Sequence, residues 1–176
     1  MATGYTQTEL DDLLDAMDSL VPPVPTVTDR ARAGRVAAMR AAGTEKGLLL
    51  NIEAKQGEVE IFWLNCWVAK EFLSAIDTVS HQHGWVKRRF TPLSSDHLKA
   101  PKIQDLTGAA SVRSLSTYGA PGGIVACFAV AREMHTTLFF PKNAALEIMN
   151  YVVQNGAEAA WWDDKFALIP SGDSQR

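Results

Sequence analysis

Two stretches of this sequence carry the same order of hydrophobic periods. In the first, residues 47–54 read as an apolar strand, Lys55-Gln56-Gly57 as a turn and residues 58–64 as the hairpin partner. Asn65 is a good helix N-cap. Ala69, Phe72, Leu73 and Ile76 then recur at helical spacing to about His83, and Gly84 closes the helix. In the second, residues 124–131 and 134–140 form a hairpin around Arg132-Glu133. Pro141 opens a helix with the stripe Ala145, Ile148, Met149 and Val152, ended by Gly156. The stretches superpose without a gap at an offset of 76 residues: Gly47 meets Gly123, and Phe62-Trp63-Leu64 meets Leu138-Phe139-Phe140. Only three of thirty aligned positions are identical. Internal duplication therefore competes with the reading that the same physics wrote two ordinary ββα stretches.

The flanks are less regular. Thr6 and Glu9 have capping-box spacing, and Leu10, Leu13, Leu14 and Met17 mark an amphipathic helix over residues 7–20. Pro22-Pro23-Val24-Pro25 stops it. Thr28 caps a second, Ala- and Arg-rich helix over 29–42, ended by Gly43. Between the units, residues 85–90 read as a strand, 91–108 as a loop and 111–118 as another strand. Residues 159–164 read as a short helix and 170–176 as a polar tail. The expected fold class is α+β: a mainly antiparallel sheet with two ββα units, related by a pseudo-two-fold if duplicated, plus an N-terminal helical pair. The expected division is a helical segment over 1–46, an α+β domain over 47–169 and the tail.

Composition narrows the function classes. Of 176 residues, 47% are apolar and 21% charged, which is globular rather than disordered. Seventeen basic against twenty acidic residues leave a net charge of −3, so no strong field steers the chain to nucleic acid. The start of the chain lacks the pattern of a signal peptide, and the longest apolar run, Ile124 to Ala131, is eight residues where a membrane span takes about 20. Two cysteines without CxxC spacing do not make a disulfide scaffold. A cytoplasmic protein with no membrane partner is expected.

The chemical candidates are few. Cys66, in the first turn after Asn65, has the dipole that lowers a thiol pKa, but no histidine lies close in sequence, and a small apolar role between Leu64 and Trp67 at the strand–helix junction is the better reading. Asp77 and His81 stand one helical turn apart, whereas His83 points elsewhere, and a zinc site takes three or four ligands. Gly119 to Gly123 lacks the lysine and following helix of a phosphate loop. Neither a cofactor nor a metal is expected. Arg30, Arg32, Arg35 and Arg40 with Lys87, Arg88 and Arg89 are the candidate nucleic-acid contacts. Trp161, Trp162 and Trp85, with Leu10, Leu14 and Met17 of the first helix, are the candidate protein-binding residues. Adjacent tryptophans cannot both face one core on a helix or a strand, so either one of Trp161 and Trp162 stands outside it or a bent loop lets both cover the same core edge. The reading is a non-catalytic macromolecule-binding protein: an inhibitor, adaptor or regulator of the phage, mobile-element or immunity type. The alternatives are a nucleic-acid-binding regulator and a small enzyme using Cys66 or the Asp77/His81/His83 cluster. A protein partner is expected, with a homo-oligomer left open.

Overall fold

The fold is that of residues 32–55, 57–131 and 134–162, as given by a computed structural model. In chain order the elements are β1 (Gly34–Gly43), β2 (Gly47–Ala54), β3 (Val59–Asn65), α1 (Cys66–Gln82), β4 (Ala110–Val112), β5 (Ser114–Ala120), β6 (Gly123–Ala131), β7 (Met134–Pro141) and α2 (Lys142–Glu158). Short 3-10 turns lie at Lys87–Arg89 and Ile103–Thr107. The seven strands form one sheet in the order β4-β3-β2-β1-β7-β6-β5. Neighbours are antiparallel except β1–β7 and β3–β4, which are parallel. The class is α+β, with a mixed sheet.

The two ends of this row, β4 and β5, are separated in sequence by one residue, Arg113, so the row folds back on itself. The Arg113 N–H donates to Ala129 O on β6 at 2.8 Å across the break. Strand β1 does the same on the opposite side of the ring. Gly34 and Arg35 pair with β7, then the register shifts between Val36 and Ala38 and the rest of the strand pairs with β2. Each of these chain segments thus serves two partners in series, while β5, at the end of the row, pairs with β6 alone.

Both helices pack on one face of the sheet. Leu48, Leu50, Ile52, Phe62 and Leu64 of the first half meet Ile124, Ala126, Phe128, Leu138 and Phe140 of the second in a single core. Phe62 and Phe128 stand edge-to-face at 5.3 Å, as do Phe72 and Phe140. Each fully buried side chain of this size contributes about 1.5–3 kcal/mol, so the rings fuse the two halves energetically as well as geometrically.

The rungs of the ladder recur at the 76-residue offset. Leu50–Phe62 on β2–β3 has its counterpart in Ala126–Leu138 on β6–β7. Arg40–Asn51 on β1–β2 answers to Ser116–Cys127 on β5–β6. Gly34–Leu138 and Phe62–Ala110, the two parallel contacts, answer to each other. Helix entry repeats, with Cys66 N to Lys46 O and Lys142 N to Gly122 O both 2.9 Å. So does helix exit, with Trp85 N to Ser80 O and Trp161 N to Gly156 O both 2.9 Å. The indoles cross between halves: Trp85 Nε1 donates to Pro121 O and Trp161 Nε1 to Glu45 O, both at 2.8 Å.

Several sequence expectations are corrected. The helix expected over 29–42 is strand β1 wherever it is described beyond Gly34. Its alanines favour helix locally, but the run Val36–Gly43 pairs with β2 and its start with β7, and tertiary pairing overrides propensity. Residues 34–43 therefore belong to the α+β body rather than to an N-terminal helical segment. Residues 85–90 are not a strand: Gly84 turns the chain with φ +65°, and Lys87–Arg89 form a 3-10 turn. The strand expected over 111–118 is broken at Arg113. Gly156 does not end α2. It lies within the helix, where any Cβ would strike the Trp162 ring. Residues 159–162 are a turn rather than the start of a helix, with Ala160 at φ 56°. The helix expected over 7–20, and residues 163–176, lie outside the described residues.

Candidate functional site

The sheet face away from the helices carries the most specific polar contacts. On β1 and β2 the side chains that alternate with the core are Ala38, Arg40, Leu49, Asn51 and Glu53. Residues 93–101, part of the long connection from α1 to β4, lie across them as a strap. Arg40 Nε donates to Ser95 O at 3.0 Å, and Asn51 Nδ2 donates to Lys99 O at 2.9 Å. His97 pairs with Glu53, and an Arg40 guanidinium nitrogen stands 3.9 Å from Asp96. Leu98 closes the strap and is buried.

Two of these bonds run from a side chain to a main-chain carbonyl. Such donors recognise backbone and are indifferent to the side chains of the segment they hold. The strap's first residue is held differently. Leu93 N–H donates to Glu147 Oε2 at 3.1 Å, and Tyr151 O–H donates to Glu147 Oε1 at 3.0 Å. Glu147 is buried on α2, and burial holds its carboxyl above the usual range, while these two hydrogen bonds pull it part of the way back. Burial and then the Glu147 charge push Tyr151 up to about 12, with Arg40 opposing. Asn51 Oδ1 is buried without a hydrogen-bond partner, so the strap satisfies the donor of that amide and leaves its acceptor unused.

A second feature is a cleft of about 420 Å³ where β3 begins, lined by Val59, Ile61, Gln104, Asp105 and Ala110 among others. Its lining mixes apolar Val59 and Ile61 with polar Glu60, Gln104 and Asp105.

The enzyme candidates do not converge. Asn65 Oδ1 caps α1 by accepting from Trp67 N and Val68 N at 3.0 Å each. Cys66 behind it is buried, and desolvation pushes its thiol up, against Lys70 and the backbone N–H groups of Cys66 and Trp67, which act to lower it. Asp77 ion-pairs with Lys87 and stands 3.5 Å from His81, while His83 forms the exposed helix C-cap. Among the described residues no three His, Cys, Asp or Glu side chains stand close enough to hold a metal ion.

The basic residues are dispersed among other tasks. The Arg35 guanidinium lies 5.2 Å from the centre of the Phe139 ring, Arg40 holds the strap and Lys87 pairs with Asp77. Arg32, Arg88 and Arg89 are exposed, and Arg30 lies outside the described residues. Of the tryptophans, Trp161 is 0% and Trp85 7% exposed, both with indoles committed internally. Trp162 is 53% exposed beside Lys70, whose ammonium lies 5.3 Å from its ring centre. Leu10, Leu14 and Met17 lie outside the described residues. No helix among the described residues is long and apolar enough to cross a membrane.

The sequence reading missed Arg40 and Asn51 as a pair, because their role rests on contacts 55 and 48 residues away. No known protein family, curated protein or solved structure matches this chain.

Proposed function

We propose that this chain is a non-catalytic, cytoplasmic protein-binding module, acting as an inhibitor, adaptor or regulator, and that it holds non-helical peptide segments on the outer face of its sheet. The observation that carries this reading is the grip on residues 93–101. Two side-chain donors on adjacent strands, Arg40 and Asn51, take main-chain carbonyls four residues apart. That arrangement binds a peptide through its backbone, one of the recurring modes of peptide recognition. The two buried, unbridged cysteines support a reducing compartment.

The architecture belongs to the same proposal: the chain is an internal duplication, two copies of a strand–hairpin–helix unit about a pseudo-two-fold. Support comes from the ladder, the helix entries and exits, and the paired Trp85 and Trp161, all at one offset. Independent ββα units have no reason to share hydrogen bonds residue by residue.

Affinity capture from the native host, followed by cross-linking mass spectrometry, tests the function. The expected result is a stoichiometric partner cross-linked near Lys99 and Lys102. A chain that captures nothing stoichiometric, or a partner cross-linked only to the helical face, refutes it. Low-salt titration with DNA and RNA tests the nucleic-acid alternative.

A further inference from the structure

We infer that residues 94–100 are a resident but incomplete ligand of the outer face, a built-in competitor that an extended segment of a partner protein displaces by taking both halves of the Asn51 side-chain amide. The inference rests on the peptide-binding reading given above and names how that site is regulated and what its partner presents.

Three observations carry it. First, the hold on the segment is thin. From Ser94 to Ala100, Leu98 is the one buried residue. The pair between Arg40 and Asp96 is long, at 3.9 Å, and Asp96 is fully exposed. His97 is exposed where it meets Glu53. Exposed pairs of this kind hold weakly against water. The main-chain bond described within the segment, Leu98 N–H to Ser95 O at 2.9 Å, closes a turn on itself and leaves the sheet untouched.

Second, the structure on either side is held without it. β1 and β2 pair with each other from Ala38 to Gly43. The flanking chain has anchors of its own. Trp85 is buried with its indole on Pro121 O, and Leu93 N–H is bound to Glu147 on α2. Pro101 is buried, and Lys102 N–H donates to Asp105 Oδ2 at 2.8 Å. Release of the segment between these anchors therefore requires neither the sheet nor α1 to open.

Third, the segment leaves a buried acceptor unused. Asn51 is 6% exposed; its Nδ2 donates to Lys99 O, but its Oδ1 has no hydrogen-bond partner. A side-chain amide donates and accepts at once, and one residue of an extended peptide presents its N–H and C=O on the same edge. The resident segment turns at Asp96 and His97, just before Lys99, and fills only the donor half. An extended partner segment that offers one residue's carbonyl to Nδ2 and its N–H to Oδ1 satisfies the amide in full, a gain of about tenfold in affinity. It also carries a cation for Glu53 and an aliphatic side chain in the place of Leu98.

Fluorescence anisotropy with a labelled synthetic peptide of residues 93–101 tests this on the full chain. In the variant His97→Ala/Leu98→Asp the resident segment is loosened and Arg40, Asn51 and Glu53 are kept. The peptide is expected to bind it at least about tenfold more tightly than wild type, the factor by which a competitor in place about nine-tenths of the time lowers apparent affinity. Adding Asn51→Leu to that variant, or N-methylating the peptide at Lys99, should each weaken binding by about tenfold. Equal affinity for wild type and the loosened variant, with the dependence on Asn51 kept, overturns the inference and leaves the outer-face reading standing. So does an N-methylated peptide that binds as well as its parent. No Asn51-dependent binding up to the roughly millimolar effective concentration of a tethered segment overturns both. Native-state amide exchange of the wild type covers the case in which the loosened variant does not fold. Exchange over 94–100 is expected through openings that leave β1 and β2 protected, and exchange there only by global unfolding overturns the inference.

Discussion

Replacing Gly119 with alanine tests how the two halves are packed, because the expected sign is the reverse of the ordinary one. In a strand interior, exchanging Gly for Ala normally stabilises by roughly 0.5–1 kcal/mol through the entropy of the unfolded chain. Gly119 has no positive φ that would forbid the exchange. A Cβ there would, however, overlap the β-branched side chain of Val79 on α1, which is buried and stiff at χ1. Overpacking of this kind costs about 1–3 kcal/mol, so the net expectation is a loss of about 1–2 kcal/mol, or about 2–8 °C in Tm for a chain of this size. Val79→Ala alone removes two buried carbons and costs about 1.5–2.5 kcal/mol. In the double variant the new methyl group occupies the space vacated by Val79, so the two losses should sum to less than their separate values by about 1 kcal/mol or more. Urea unfolding of wild type, both single variants and the double variant at one pH measures the cycle. A neutral or stabilising Gly119→Ala, or additive losses, would show that α1 does not lie against β5 in this way.

Four further outcomes are expected. Ala160 occupies the left-handed conformation that glycine holds at the equivalent Gly84, so Ala160→Gly should stabilise by roughly 1 kcal/mol, with thermal unfolding as the readout. Trp85→Phe and Trp161→Phe each leave one carbonyl, of Pro121 or Glu45, without its indole donor; comparable losses of about 1–3 kcal/mol in urea are expected, and a loss at only one of them would break the equivalence. Asn51→Leu removes both the bond to Lys99 O and the orphaned acceptor, so global stability should move by less than about 1 kcal/mol while amide exchange over 93–101 accelerates. For Glu147, the folded carboxyl is raised, so the folded state holds its proton longer than the unfolded chain does; this contribution is present below about pH 4 and is lost as pH rises through the folded value. Glu147→Gln should therefore gain on wild type as pH increases from about 4 to about 7 in urea titrations, although Glu71, raised in the same direction by burial, keeps some slope in both proteins.

The parts of the fold that are local were legible in the sequence. The two hairpins, the Asn65 cap and the buried stripes of both helices follow from short-range periodicity, and they stand in the structure with small boundary shifts. Strand β1 was not legible, because an alanine-rich run between two glycines has helical propensity. Its strand identity comes from pairing with β2 along the run and with β7 at Gly34 and Arg35. Gly43 carried a hint of this: a Cβ there would overlap Asn155, just as one at Gly119 overlaps Val79, so the glycine marks a helix crossing rather than a helix end. The offset itself held more than the thirty aligned positions revealed. Continued past Ile76 it pairs Trp85 with Trp161, an identity at a rare residue that composition alone does not favour. The strap contacts had no signal at all, since they join side chains to carbonyls whose residue type does not matter.

The strand order also determines which edges of the sheet are paired. β3 is paired on both sides only from Phe62 to Leu64, where β4 joins it, so Val59, Glu60 and Ile61 have a strand partner on the β2 side alone. In the other half, β7 meets β1 only at Leu138 and Phe139, leaving the start of that strand in the same position. These two stretches are short and carry Glu60 and His135, whereas β5 has a strand partner only in β6 along Ser114–Ala120. The helices occupy one face, and residues 93–101 cover the β1–β2 part of the other. It is there that Arg40 and Asn51 reach for main-chain carbonyls, and the proposed peptide binding rests on that grip.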